Sequence, residues 1–369
     1  MASCYRDYCA SPSGIHSAAK HQREALEKAR DQVRALIGLP ANEGRIVFTG
    51  NGTEAVNLAV RGFISANRRF GNHVVSSKIE HPSILNLLQD LDRTGVQRCL
   101  LSVGGEGFYD VAGLSERVTP ETVMICLSLA NAELGTIQML EAIGQFARER
   151  SIGFFVDARA AGGRIPIDVS ALNADVLALS AAAFGGPVGV GILYIGARTV
   201  LDPLCYGGEQ EGGLRPGEEN VPGIVGAGLA ADLASQRLVE NGERRRGLQL
   251  LLWRHLNASI PQVYLNGPEI GERRLCHQLS VTIKDVEAEG LVLFADMRGL
   301  AIATSGGCLS QRLDTHYVLN EAGLSPEAAR QTISLGVGLD TSENEIEEAV
   351  AILSSGASRL REMSPAWSS

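Results

Sequence analysis

The stretch VDARAAGGRIPIDVSALNADVLALSAAAFGGPVGVGILY, residues 156–194, decides the fold. It opens on a strand ending at an acid (Val156, Asp157) and makes a short connection. It then enters a second apolar strand at Asp175–Leu179, turns on small residues, and regains a Gly-rich strand at Gly189–Tyr194. Working outward, Arg45–Thr49, Gly71–Ser77, Val96–Ser102, Thr122–Leu129 and Gly153–Val156 read as further strands. Helices alternate with them at His16–Ile37, Ala55–Ser65, Leu114–Arg117 and Leu140–Arg150. Strand–helix alternation of this kind implies a parallel sheet covered on both faces. Such sheets place ligands at the carboxyl ends of their strands. Thr53, His81, Asn131, Asp157 and Ser180 all fall just after expected strands, which argues for one pocket.

At 369 residues the chain is long enough for two domains. A hydrophobic content of 45%, a charged content of 20% and a mean hydropathy near zero describe an ordinary globular protein. The net charge of −9 and the absence of a basic stripe argue against nucleic acid as a partner. MASCYRDYC lacks the apolar core of a signal peptide, and no apolar run is long enough for a bilayer, so a cytoplasmic protein without membrane contact is expected. Seven scattered cysteines with no C-x-x-C pair argue against a disulfide framework or a structural zinc site.

Gly50-Asn51-Gly52-Thr53-Glu54 follows a strand and opens a helix, a turn whose free N–H groups and helix dipole favour an anion. Any tight β–α turn has the same look. Glu80-His81-Pro82 opens the next helix, where the histidine can equally serve as a local hydrogen-bonding group. Beyond a helical region at Val221–Leu256, the remainder (Gln262–Arg361) reads as a smaller α+β domain. Its strands are expected near Leu279–Ile283 and Gln331–Leu335. Its helices are expected near Glu289–Met297, Tyr317–Ala322 and Glu343–Ser354, the last opened by a Ser342-x-x-Glu345 capping box. The division expected is a large domain of 13–250 and a small one of 1–12 with 251–369.

These motifs together resemble the cysteine desulfurases, a branch of the class-V aminotransferases with the fold of type I pyridoxal-phosphate (PLP) enzymes. V-D-A with the downstream G-x-x-P-x-D, N-A-E-L-G-T-I-Q at 131–138, and the 204–220 loop LCYGGEQEGGLRPGEEN carry the likeness over nearly the whole chain. The resemblance implies an α/β large domain, a small α+β domain and a homodimer. It also implies that Thr53 and Ser180 hold a cofactor phosphate, His81 covers the pyridine ring and Asp157 faces the ring nitrogen.

Against that framework, the residues that do the family's chemistry are replaced. Ala183 stands where the Schiff-base lysine would be, Ala182 at its histidine neighbour, Ala160 at a glutamine and Ala132 at an asparagine. Thr332 stands at the arginine of R-x-S-L-G, and Glu218 at a threonine that reaches the partner subunit. Alanine has no amine, so no PLP cofactor is expected. Cys308, in ATSGGCLS, matches the family's persulfide-forming cysteine, although a small residue inherited with its loop would look the same. Three functions stay open: a desulfurase-like sulfur-relay or scaffold partner of an active desulfurase or sulfur acceptor protein, a repurposed cofactor-free enzyme using Asp157 and His81 in a roomy alanine-lined pocket, and a desulfurase that binds PLP non-covalently.

Overall fold

A computed structural model describes residues 1, 10–40, 43–306 and 316–363. They form two compact units. The first comprises Met1–Leu101, Val111–Leu129 and Met139–Leu238; the second comprises Ser102–Asp110, Ala130–Gln138 and Val239–Ser369.

In the first unit, helix α1 (Ser17–Leu36) buries Ala19, Leu26, Ala29, Val33 and Leu36 along one stripe, spaced as a core-facing helix requires. His16 caps its start by accepting from the Ala19 amide at 3.2 Å, and Gly38 turns the chain out at φ 63°. Then come β1 (Arg45–Thr49), α2 (Gly52–Asn67), β2 (His73–Ser77), α3 (Pro82–Asp92), β3 (Gln97–Leu101), α4 (Leu114–Arg117), β4 (Thr122–Ser128), α5 (Glu141–Glu149), β5 (Gly153–Asp157), β6 (Val176–Ser180), β7 (Gly191–Ile195) and α6 (Val221–Gln236). The strand order in the sheet is β1-β7-β6-β5-β4-β2-β3. β6, β5, β4, β2 and β3 run parallel, and β7 runs antiparallel to both its neighbours, β6 and the edge strand β1. Helices α2 and α3 bury Val56, Leu58, Val60, Ile84 and Leu88 on the strand residues Val47, Val74, Met124, Phe155 and Leu193. Near-continuous apolar strands such as GFFVD and VLALS are what a sheet covered on both sides demands. α6 comes so close to α1 that a Cβ on Gly228 would lie 2.6 Å from the Ala29 Cα.

The second unit contains α7 (Leu238–Ser259), β8 (Val263–Leu265), β9 (Gln278–Ile283), α8 (Ala288–Asp296), β10 (Ala303–Thr304), α9 (Tyr317–Glu321), α10 (Pro326–Arg330), β11 (Thr332–Gly336) and α11 (Glu343–Glu362). Its antiparallel sheet runs β10-β11-β9-β8. Leu248, Leu252 and Leu256 of α7 pack with Leu279, Val281, Ile333 and Leu353 in one core. A boundary expected at 250 therefore falls inside α7, a helix committed to this core by its buried leucines. The long helical region expected from Val221 is two helices, divided at Arg237. The capping box at Ser342 is present: the Ser342 hydroxyl accepts from the Glu345 amide at 3.2 Å, and the Glu345 carboxylate accepts from the Ser342 amide at 2.8 Å.

Candidate functional site

The site lies at the carboxyl ends of β5 and β6. Asp157 is the last residue of β5, Ser180 the last of β6, and Gly52 and Thr53 open α2. A Cβ added to Gly52 would lie 3.3 Å from the Ser180 Cβ, so the α2 turn and the β6 end meet. His81 is the N-cap of α3, its Nδ1 accepting from the Ser83 amide at 3.0 Å and standing 2.9 Å from the Ser83 hydroxyl. Glu80 beside it is fully buried and accepts from the hydroxyls of Ser77, at 2.7 Å, and Ser128.

The residue that ties these elements together is Arg159, two positions beyond Asp157. Its Nε donates to Asp157 Oδ1 at 2.8 Å and its Nη2 to Asp157 Oδ2 at 2.6 Å, a two-pronged pair. Its backbone amide adds a third bond to Oδ1 at 3.1 Å. The same Nη2 donates to the Ser83 hydroxyl at 2.8 Å, completing a chain Asp157–Arg159–Ser83–His81. The arginine stem lies over Gly52, where an added Cβ would come within 2.5 Å of Cδ. Only a residue without a side chain leaves that passage free.

These contacts set the charges. Asp157 is 4% exposed, and burial opposes its ionisation, but the charge and hydrogen bonds of Arg159 outweigh that and hold it below the usual carboxylate range. For Arg159 burial also works against the charge, and Asp157 again prevails, lifting it above its ordinary value. The atoms packed around the His81 ring, followed by the nearby Arg159 charge, push the imidazole down to about 4. Near neutral pH the cluster therefore holds one carboxylate, one guanidinium and a neutral imidazole.

Of the expected site residues, the structure brings Asp157, His81, Ser180 and the Gly52–Thr53 turn to one end of the sheet. Thr53 is exposed, and its carbonyl accepts from Asn57 Nδ2 at 2.9 Å. Asn131 belongs to the second unit, where its side chain accepts from the amides of Glu133 and Leu134, both at 2.9 Å, and closes a turn. Ala183 sits half-buried in a short 3-10 turn, Ala181–Phe184, that leaves β6. Ala182 and Glu218 are exposed and Ala160 is half-buried. Thr332 is wholly buried; its hydroxyl donates to the Ala328 carbonyl and lies 2.8 Å from the Thr282 hydroxyl. Cys308 lies outside the described residues. Arg159 and Ser83 were missed from sequence, and the available signal was a lone arginine inside the otherwise small, apolar run VDARAA.

With this geometry in hand, the comparisons define the class. The chain belongs to the aminotransferase class-V family, whose model matches residues 1–348, and within it to the cysteine desulfurases. It is 38% identical over 357 residues to the cysteine desulfurase IscS of Clostridium botulinum (strain Hall), covering 97% of this chain and 89% of that protein. It is 36% identical over 355 residues to the cysteine desulfurase IscS of Methanosarcina thermophila, with 96% and 87% covered. Among solved structures it resembles a NifS-like protein with a TM-score of 0.89 at 27% identity, over 96% of this chain and 93% of that one. It also resembles SspA in complex with cysteine, with a TM-score of 0.77 at 29% identity, over 90% and 92%. The expected α/β architecture with a smaller antiparallel unit is thus the architecture found. Among the described residues, no helix is long and apolar enough to cross a membrane.

Proposed function

We propose that this chain is a cysteine-desulfurase homologue that works without PLP-dependent catalysis, as a sulfur-relay or scaffold partner of an active desulfurase or a sulfur acceptor. The observation that carries the reading is Ala183 in the turn after β6, where the family resemblance calls for a lysine amine. The chain has four lysines, Lys20, Lys28, Lys78 and Lys284, so few candidates exist for a substitute. Lys20 and Lys28 lie on α1, and Lys284 belongs to the second unit. Lys78 precedes His81, but its backbone amide bonds to Leu101 at the end of β3, the edge strand, on the far side of β2 and β4 from Asp157. The residues at the site do not fit PLP, because Ala183 offers no nucleophile and both oxygens of the carboxylate that would face the ring nitrogen already accept from Arg159.

In this reading the Cys308 thiolate attacks the outer sulfur of a partner's persulfide, forming its own persulfide as the partner's S–S bond breaks and its thiolate leaves, and an acceptor thiolate repeats the exchange on Cys308. The test is to incubate the purified protein with labelled cysteine, with and without an active cysteine desulfurase, and to map the label by mass spectrometry. Label on Cys308 only in the presence of the partner enzyme, lost in Cys308→Ser, is the expected outcome. Persulfide formed by this protein alone from cysteine and PLP would overturn the reading.

A further inference from the structure

We infer that Arg159 is an internal counter-ion that closes the Asp157 site, barring any ligand that must offer its own ring N–H or cation to that carboxylate. The inference deepens the proposed function, on which it rests, by naming the residue that enforces the exclusion. It requires more than the loss of a lysine, since a missing amine alone would leave an open acidic pocket that still attracts a pyridinium ring.

Three observations carry it. First, both Asp157 oxygens are engaged by one guanidinium, at 2.8 and 2.6 Å, and the Arg159 amide supplies a further bond. A competing ligand with a single N–H must displace a two-pronged pair and leave a desolvated arginine behind, an unfavourable exchange. Second, the guanidinium is held from the other side by the Ser83 hydroxyl at 2.8 Å, which itself belongs to the His81 cap. The arginine thus bridges the two groups, Asp157 and the α3 start, between which a flat ring would have to lie. Third, its stem is accommodated by the bare backbone of Gly52, at the turn that would otherwise face a phosphate. The pocket expected to be roomy and alanine-lined is instead crossed by an arginine fixed at three points.

The experiment uses 4′-deoxypyridoxine 5′-phosphate, a pyridine phosphate with no aldehyde, so that Ala183 plays no part in binding. It is titrated by calorimetry into the native protein and into Arg159→Ala, with circular dichroism as the check on folding. The native protein is expected to show no saturable binding up to about millimolar probe. Arg159→Ala is expected to bind at least about tenfold more tightly, as release of a charge-assisted pair predicts. Adding Asp157→Asn to that variant should abolish the gain. If Arg159→Ala is poorly folded, Arg159→Gln serves in its place, and its melting temperature should rise with added probe. Equal affinity of native and variant protein, or a folded variant with no gain, would overturn the role given to Arg159 and leave the proposed function standing. Reduction of PLP onto the native protein by borohydride, at one equivalent and within the site, would instead overturn the proposed function itself.

Discussion

Each of the two units holds a buried or half-buried arginine and carboxylic acid, and each resolves the resulting charge differently. In the first, Arg159 and Asp157 answer each other at 2.6 and 2.8 Å, and both are held in their charged forms. In the second, Arg274 is fully buried yet donates to backbone carbonyls, through Nε to Pro268 at 2.6 Å and through Nη2 to Asn266, while Nη1 has no hydrogen-bond partner among the described residues. Glu133 accepts from the Ser305 hydroxyl, with no cation paired to it among the described residues. Burial accordingly moves both toward neutrality: Arg274 falls to about 10 and Glu133 rises to about 7. A bidentate partner converts the cost of burial into a closed, ligand-excluding pair. Without an ionic partner the cost of burial stays in place: Glu133 meets it by holding its proton up to about pH 7, while Arg274 keeps its charge near neutral pH on backbone carbonyls alone.

The largest effect should come from breaking the first pair on one side. Asp157→Ala or Arg159→Ala each strands a buried charge and should cost about 3–5 kcal/mol, measured by urea denaturation. Replacing both partners together, as Asp157→Leu with Arg159→Leu, should recover most of that loss. If the double variant is no better than the singles, the two side chains do not act as a pair.

Gly52→Ala should cost about 1–3 kcal/mol, because the new methyl must push the Arg159 stem aside. Combined with Arg159→Ala, the same change should cost clearly less, the non-additivity expected of two groups in contact. Arg274→Met should cost about 1–3 kcal/mol, chiefly by leaving the Pro268 and Asn266 carbonyls without a donor. Equal costs for Arg274→Met and Arg159→Ala would erase the distinction drawn between the two units.

Most of the architecture was legible because it rests on local patterning. The buried strands GFFVD and VLALS, the stripe on α1 and the capping box at Ser342 each follow from spacing alone. The sheet-end positions of Asp157 and Ser180 follow from the same pattern. The role of Arg159 was not legible, since it depends on Ser83 and Gly52, more than seventy residues away in sequence. The short strands Val263–Leu265 and Ala303–Thr304 were missed for a related reason: they exist through pairing with β9 and β11 rather than through their own patterns.

The last expected effect concerns pH. Glu133 binds its proton more tightly in the folded protein than at its ordinary value of 4.5, so its contribution is fully present below about pH 4.5 and lost as pH rises through about 7. Glu133→Gln should flatten that slope, becoming more stable relative to the native protein as the pH is raised to 8. A parallel pH profile for the two proteins would show that Glu133 is not held protonated by burial.

The central claim is that the charge of Asp157 is answered from within the chain and that the site takes no PLP. Its most direct measurement is the visible absorbance and cofactor content of the purified protein after incubation with excess PLP and gel filtration. The account predicts a colourless protein carrying far less than one PLP per chain, unchanged by borohydride. A yellow protein retaining one equivalent, fixed by borohydride to a peptide of the site, would contradict it.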